Sequence, residues 1–427
     1  MKYIYLAGLS FISLGLFAQK SPLREEISKK ADAIEQKVIT WRRDFHEHPE
    51  LGNQEVRTSG IIAKHLESLG MQVTKDVAKT GVVGVLKGGK PGPVVALRAD
   101  MDGLPVIERV DLPFASKVKT QYNGQEVGVM HACGHDSHVA ILMGVAEVLS
   151  ALKKDIPGTV KFIFQPAEEG VPAGEEGGAA LMIKEGVLEN PKPDAIVGQH
   201  VMPMIETGKV GFRSGIYMAS TDELYVTVTG KGGHGAQPHQ NIDPVLITAH
   251  IIVALQQIVS RNADPRLPSV LSFGKVNANG ATNIIPNEVK LEGTFRTLNE
   301  EWRNEAHKLM KKMAEGIAES MGGSCDFDIH RGYPFLINEE KLTANAREFA
   351  TDYLGAENVI DLDIWMAAED FAYYSQVTDA CFYRLGTGNA AKGTTYSVHT
   401  PNFDIDEDAL KTSTGLMAYI ALKQLGN

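Results

Sequence analysis

The sequence predicts an α/β fold that carries an inserted ferredoxin-like α+β unit, and three observations point there. Four short, nearly continuous apolar runs (81–86, 94–97, 160–164 and 195–197) alternate with segments of helical spacing. Strands covered by helices on both faces of a sheet read this way. From about Ser220 the pattern changes to clean alternation, and the element order becomes β-α-β-β-α-β, which is that of a ferredoxin-like unit. After Arg331 the α/β character returns. The expected organisation is therefore a main unit over 19–218 and 331–427, with 219–330 inserted as a second domain.

Taken in order, the chain opens on Lys2 and an apolar stretch from Tyr3 to Ala18, followed by the polar Gln19-Lys-Ser-Pro22. That is too short to span a bilayer comfortably and reads as a secretory signal peptide over 1–18, with Ala18 last before cleavage. Nothing after Ala18 reads as a membrane span. The expectation is export, to the periplasm or beyond the cell, with no membrane contact once the leader is removed.

Residues 24–45 have Ile27, Ala31, Ile34, Val38, Trp41 and Phe45 at helical spacing. This helix ends at His46-Glu-His-Pro-Glu50, because Pro49 disfavours helix at the residue before it. His46 and His48 at that broken end are given a structural role. A second helix covers 56–69 and stops at Gly70; a third covers 139–152. In the inserted unit, strands are expected at 224–229, 270–276, 289–295 and 324–330, and helices at 244–259 and 300–321. Beyond it come a helix at 344–353, the turn Ala367-Ala-Glu-Asp-Phe371, a strand at 380–385, the loop around His399 and a closing helix.

At 427 residues and 43% hydrophobic content the chain buries a large core. Its net charge of −11 argues against nucleic acid or an anionic membrane surface as partner, since both select for clustered Lys and Arg. Three cysteines are too few for a disulfide scaffold. Cys133 is the natural unpaired thiol; Cys325 and Cys381 either pair or stay buried.

The chemistry concentrates in His131-Ala-Cys-Gly-His-Asp136, where a thiolate and an imidazole flank Gly134. Both are ligands for a borderline divalent metal; a buried thiol beside a helix-start histidine is the bland alternative. What favours the metal is position. Asp100-Met-Asp102, Glu168-Glu169 and His200 each follow a strand, and ligands of open α/β sheets bind beyond the carboxyl ends of strands. Cys133, His135, Glu169, His200 and His399 exceed what one tetrahedral ion needs and suit two ions sharing a ligand. Their softness favours Mn, Zn, Ni or Co over Ca or Mg. Adjacent residues of an extended segment point to opposite sides. One of Glu168 and Glu169 is thus expected to coordinate while the other serves as general base. In the inserted unit, Gly230-Lys-Gly-Gly-His-Gly-Ala-Gln-Pro-His239 carries His234, a donor suited to an oxyanion, although a lone loop histidine is more often uninvolved. Asn283 and Arg296 offer an amide and a guanidinium suited to a carboxylate.

These motifs together resemble the M20 metallopeptidase family, in particular its amidohydrolase branch of hippurate hydrolases, auxin-conjugate hydrolases and N-acyl-amino-acid deacylases. The resemblance rests on Arg42-Arg-Asp-Phe-His-Glu-His-Pro-Glu-Leu-Gly52, Leu97-Arg-Ala-Asp-Met-Asp-Gly-Leu-Pro105, Met130-His-Ala-Cys-Gly-His-Asp136, Phe164-Gln-Pro-Ala-Glu-Glu-Gly170, Gly198-Gln-His200, Gly233-His-Gly235 and Ala368-Glu-Asp-Phe371. It implies a zinc-peptidase-like catalytic unit with a central mixed sheet, two divalent metals, and a lid that mediates homodimerisation. By position it implies Cys133, His135, Glu169, His200 and His399 as ligands, Glu168 as general base and Asp102 as the aspartate supporting a ligand. His234 matches a lid histidine that, in some relatives, reaches the partner subunit's active site. Asp100 stands where related peptidases have histidine, and His200 is followed by Val-Met-Pro rather than a Trp-containing run. The activity implied is hydrolysis of an N-acyl amino acid, hippurate-like or indole-acetyl-amino-acid-like. An exported metallo-exopeptidase is the near alternative, and a non-catalytic binding protein the remote one.

Overall fold

The computed structural model describes residues 22–122, 124–172 and 174–426; the leader expected at 1–18 lies outside them. An eight-stranded mixed sheet runs from edge to edge as Gln72–Val77, Gly81–Lys87, Pro157–Gln165, Lys90–Asp100, Ala195–Glu206, Ala380–Gly388, Val210–Phe212 and Val359–Asp361. Its four middle members, from Pro157–Gln165 to Ala380–Gly388, are mutually parallel. Both faces of these strands are buried, which is why they read as continuous apolar runs: Val160, Phe162 and Phe164 enter one core, and Ile163 enters the other. On the first face lie the helices Pro22–Glu47, Val56–Ser68, His135–Ala151, Glu340–Leu354 and Asp408–Gln424. His135–Ala151 is buried almost all round, as expected of a helix wedged between other helices and a sheet. The short helices Gly178–Lys184 and Ala372–Ser375 close the second face.

The inserted unit has the predicted ferredoxin-like plan. Its antiparallel sheet runs Ser269–Asn277, Glu288–Thr297, Asp222–Thr229, Ser324–Arg331. Leu224, Val226 and Val228 alternate inward against Ile247, Ile251 and Leu255 of the helix Pro244–Gln257 and Met310 of the helix Glu300–Ser320. Arg303, fully buried, clamps both crossings of the chain between the two units. It donates to the Asp222 carboxylate at 2.6 and 2.9 Å, to the Thr221 carbonyl at 2.8 Å and to the Gly332 carbonyl at 3.1 Å.

Several expectations need correction. The third helix begins at His135, four residues before the expected start, because its polar first turn hides the apolar spacing. His200 does not follow a strand but lies inside one, Ala195–Glu206; the mixed run Gln199–Met204 breaks the apolar signal that the flanking backbone pairing overrides. The edge strands Gln72–Val77 and Val359–Asp361 and the inner strand Val210–Phe212 are short or largely polar and carry no clear pattern. Cys325 and Cys381 do not pair: all three cysteines are free. Pro244–Asn262 is, by length and hydropathy, the one helix among the described residues apolar enough to cross a bilayer, against the expectation of none. One side of it sits on the lid core, and Val245, Leu246 and Val253 on the other are exposed.

Candidate metal centre and active site

The carboxyl ends of the parallel strands and the first turn of His135–Ala151 meet at one point. Gly134 takes φ +86°, and a Cβ there would lie 2.5 Å from Val201 Cγ2; only glycine can turn the chain so tightly between Cys133 and His135. Cys133 Sγ lies 3.2 Å from His200 Nε2 and 3.1 Å from His399 Nε2, and His399 Nε2 lies 3.1 Å from Glu169 Oε1. Of the five candidate donor groups among the described residues, Cys133–His135–His200 and Cys133–Glu169–His399 are the two drawn from the expected ligands alone. Cys133 belongs to both.

The ring orientations are set from behind. Asp102 accepts from His135 Nδ1 at 3.1 Å and, with its other oxygen, from the Glu169 backbone N–H at 2.9 Å. His200 Nδ1 donates to the Val201 carbonyl at 2.7 Å. Each Nδ1 is thus held from behind and each Nε2 faces the site, the arrangement metal-binding histidines use. Asp100 plays a different part: it is buried between Arg98, at 2.6 Å, and His138, whose Nε2 accepts from the Val201 N–H at 3.0 Å. His138 lies one helical turn after His135, and that i, i+3 spacing was a signal sequence reasoning passed over.

Glu168 and Glu169 depart from the expected opposite-sided arrangement. Their carboxylates lie 4.0 and 3.9 Å from the same His135 Nε2. The segment is not extended, because Ala167 takes φ +53°. Glu55, buried, holds that turn: its carboxylate accepts from the Ala167 N–H at 2.8 Å and from Thr80 Oγ1 at 2.6 Å. Tyr333, at the lid crossing, donates to the Glu168 carbonyl. Glu369 and Asp370 flank the Glu168 carboxylate, and Arg98 binds both. Glu55 and Tyr333 carry no motif legible without the fold, and Arg98, although inside the Leu97–Pro105 motif, shows its role only in the fold. His46 has the structural role expected: it bonds the Asp136 carboxylate at 2.8 Å beside Arg42, while His48 stays at the surface on the Asp44 carbonyl.

The electrostatics fit a cation. Burial, then Glu369 and Glu169, pushes the Glu168 carboxyl well above its ordinary range. Burial, with Glu169 and Glu168 beside it, raises the Cys133 thiol likewise. Burial opposes charge on His135, but Asp100, Asp102 and Glu169 prevail and hold its pKa up at about 10. Burial and Arg384 keep His200 neutral. His135 Nε2 is buried without a hydrogen-bond partner, and Glu169 Oε1, buried beside it, is in contact with His399 Nε2. An orphaned donor atom in an acid-rich layer matches a metal site better than a solvated surface.

A cavity of about 600 Å³ opens over this layer. Cys133, Glu168, Glu169, His200 and His399 form its floor, and Thr221, Val270, Thr294 and Arg296 reach it from the lid. His234 and Asn283 do not. The two-residue pairing of Gly233–His234 with Ile284–Ile285 brings them close to each other, but both are exposed and outside the cavity of this chain.

Fold and site together define a class: hydrolases that place a metal centre at the carboxyl ends of a mainly parallel sheet, beneath an α+β lid. The model of peptidase family M20/M25/M40 matches residues 96–423. The chain belongs to that family, and it is an enzyme of the M20 amidohydrolase and peptidase type. It is 42% identical over 318 residues to the N-acyl-L-amino acid amidohydrolase of Geobacillus stearothermophilus, covering 74% of this chain and 82% of that one. It is 38% identical over 403 residues to thermostable carboxypeptidase 1 of Saccharolobus solfataricus, covering 94% and 98%. Among solved structures it is similar to the Bacillus subtilis YXEP protein, a dinuclear metal binding peptidase of the M20 family. That match has a TM-score of 0.77 at 36% identity and covers 92% of this chain and 99% of that one.

Proposed function

We propose that the protein hydrolyses the amide bond of N-acyl amino acids, hippurate-like or indole-acetyl-amino-acid-like, to a carboxylic acid and a free amino acid. The observation that carries this is the pair of donor groups sharing Cys133 with Glu168 buried beside them, because binding alone requires no base. Cys133, His135 and His200 would hold one divalent ion, and Cys133, Glu169 and His399 a second, with Mn or Zn as the leading candidates and Ni or Co as others. When bound, such a pair supplies Lewis-acid activation of water and of the amide carbonyl.

The chain's own groups do the rest. Glu168 takes the proton of the attacking water and returns it to the leaving nitrogen; its raised pKa favours holding that proton in between. Asp102 fixes His135 and the Glu169 backbone together. Arg296, half-buried and donating to Thr294 Oγ1 at 3.1 Å, would grip the free carboxylate of the substrate. His234 and Asn283 act in a homodimer, each lid reaching the neighbouring subunit's cavity. The exposed Val245, Leu246 and Val253, on the lid helix, support a partner there. The apolar stretch before Ala18 supports export.

The similarity to a carboxypeptidase keeps one second reading in view, an exopeptidase acting on short peptides with the same site. The test uses protein lacking residues 1–18, stripped of metal and reloaded separately with Mn, Zn, Co or Ni. Release of amino acid is followed from N-acetyl, N-benzoyl and indole-acetyl amino acids, with dipeptides alongside. Metal-dependent release from acyl substrates is expected; turnover of dipeptides alone would replace this reading by the peptidase.

A further inference from the structure

Four arginines head the largest fully buried side chains: Arg42, Arg98, Arg303 and Arg384. Three are neutralised. Arg42 meets Asp136, Asp404 and Glu407; Arg98 meets Asp100, Glu369 and Asp370; Arg303 meets Asp222 and Glu300. Arg384, 1% exposed, has no carboxylate partner among the described residues. Its Nε donates to the neutral Tyr217 hydroxyl at 2.9 Å, Nη2 reaches only the thioether of Met218 at 3.0 Å, and Nη1 has no partner at all.

Arg384 is also in the right place to meet a ligand. It pairs in register with His200 on the neighbouring parallel strand, so the two side chains leave the sheet side by side. Tyr383 and Leu385 on either side point into the opposite core. Arg384 is among the residues that line the cavity. It is packed against Trp365, with 4.8 Å to the ring centroid, and Trp365 and Met218 line the same cavity. Stacking on aromatic rings offsets only part of the cost of burying a cation, and the remainder calls for an anion. A planar fork with a free edge accepts a carboxylate in two-point fashion.

We propose that Arg384 is a second carboxylate-recognition site, distinct from the lid group Arg296, and that the preferred substrates are N-acyl amino acids with two carboxylates. The inference rests on the amidohydrolase reading above and names its substrate class. The second carboxylate comes either from the acyl end, as in an N-succinyl amino acid, or from the side chain, as in an N-acyl glutamate.

The test compares kcat/KM of the metal-loaded enzyme for N-succinyl-alanine, N-acetyl-glutamate and their uncharged isosteres, N-succinamoyl-alanine and N-acetyl-glutamine. For one of the two acids, a preference of about 100-fold over its isostere is expected, and which acid shows it identifies the source. In Arg384→Met that ratio collapses towards one, and Arg384→Lys restores part of it. A wild-type ratio near one for both pairs, or a ratio that survives Arg384→Met, overturns the proposal. Calorimetric binding of glutarate against glutaramate to the wild-type holoenzyme needs neither a variant nor turnover. Tighter binding of glutarate by tenfold or more supports the site, and equal binding overturns it. Failure of the amidohydrolase reading shows differently, as no release from any acyl amino acid.

Discussion

On the floor of the cavity, Cys133, His135, His200 and Glu168 are each less than a tenth exposed, and each is bonded to, or packed on, another member of the same layer. On the lid side, Arg296 and Thr294 are half-buried and share one hydrogen bond, while His234 and Asn283 are exposed and outside the cavity. Apart from His399 on its exposed loop, the floor is pre-formed because its residues come from the parallel strands, the turn after one of them and a helix start fixed by the main core. The lid side has a core of its own and is joined to the main unit at two crossings. Chemistry needs donor atoms held to fractions of an ångström, which the sheet supplies; substrate exchange needs an opening, which a separately folded lid allows.

Breaking the floor gives the largest effect. Glu168→Gln keeps the donor atoms of the metal groups but removes the base, and turnover should fall about a thousandfold with bound metal unchanged; retained activity at equal metal content would sink the assignment. Next is the joint between the two sides. Asp222→Asn leaves the buried Arg303 with only the more exposed Glu300 as its carboxylate and should destabilise the lid by about 3 kcal/mol, read as a lowered or split thermal transition. Asp102→Asn unfastens His135 from the Glu169 backbone and should weaken metal binding roughly 10–100-fold, measured by competition with a chelator. Arg296→Gln should raise KM about tenfold with kcat little changed; an equal loss in both would place Arg296 in the chemistry rather than in binding.

The smallest effect sharpens the comparison through pH. Burial opposes ionisation of Asp222, but His307 and Arg303 prevail and lower its pKa. Its contribution is therefore fully present above about 3.9, the ordinary aspartate value, and is lost as pH falls through the lower folded value. Acid unfolding followed by probes in each unit should show the lid loosening in that window, and Asp222→Asn should abolish the pH dependence there.

The sequence alone determined the architecture and pointed to the candidate donor set. Continuous apolar runs, the switch to alternation near Ser220 and the Cys133, His135, Glu169, His200 and His399 set are local or ordered features, legible because secondary structure and ligand type depend on residue chemistry and near spacing. Tertiary structure alone decided which groups share a point. It brought Glu168 and Glu169 to one nitrogen through the turn at Ala167, moved Asp100 behind the site to His138, and kept His234 away from this chain's own cavity. It also left Arg384, among the described residues, as the one fully buried arginine without a carboxylate. Such facts depend on partners hundreds of residues apart, as with Arg98 and Asp370, and on whether a buried charge finds one. No periodicity in the chain encodes that.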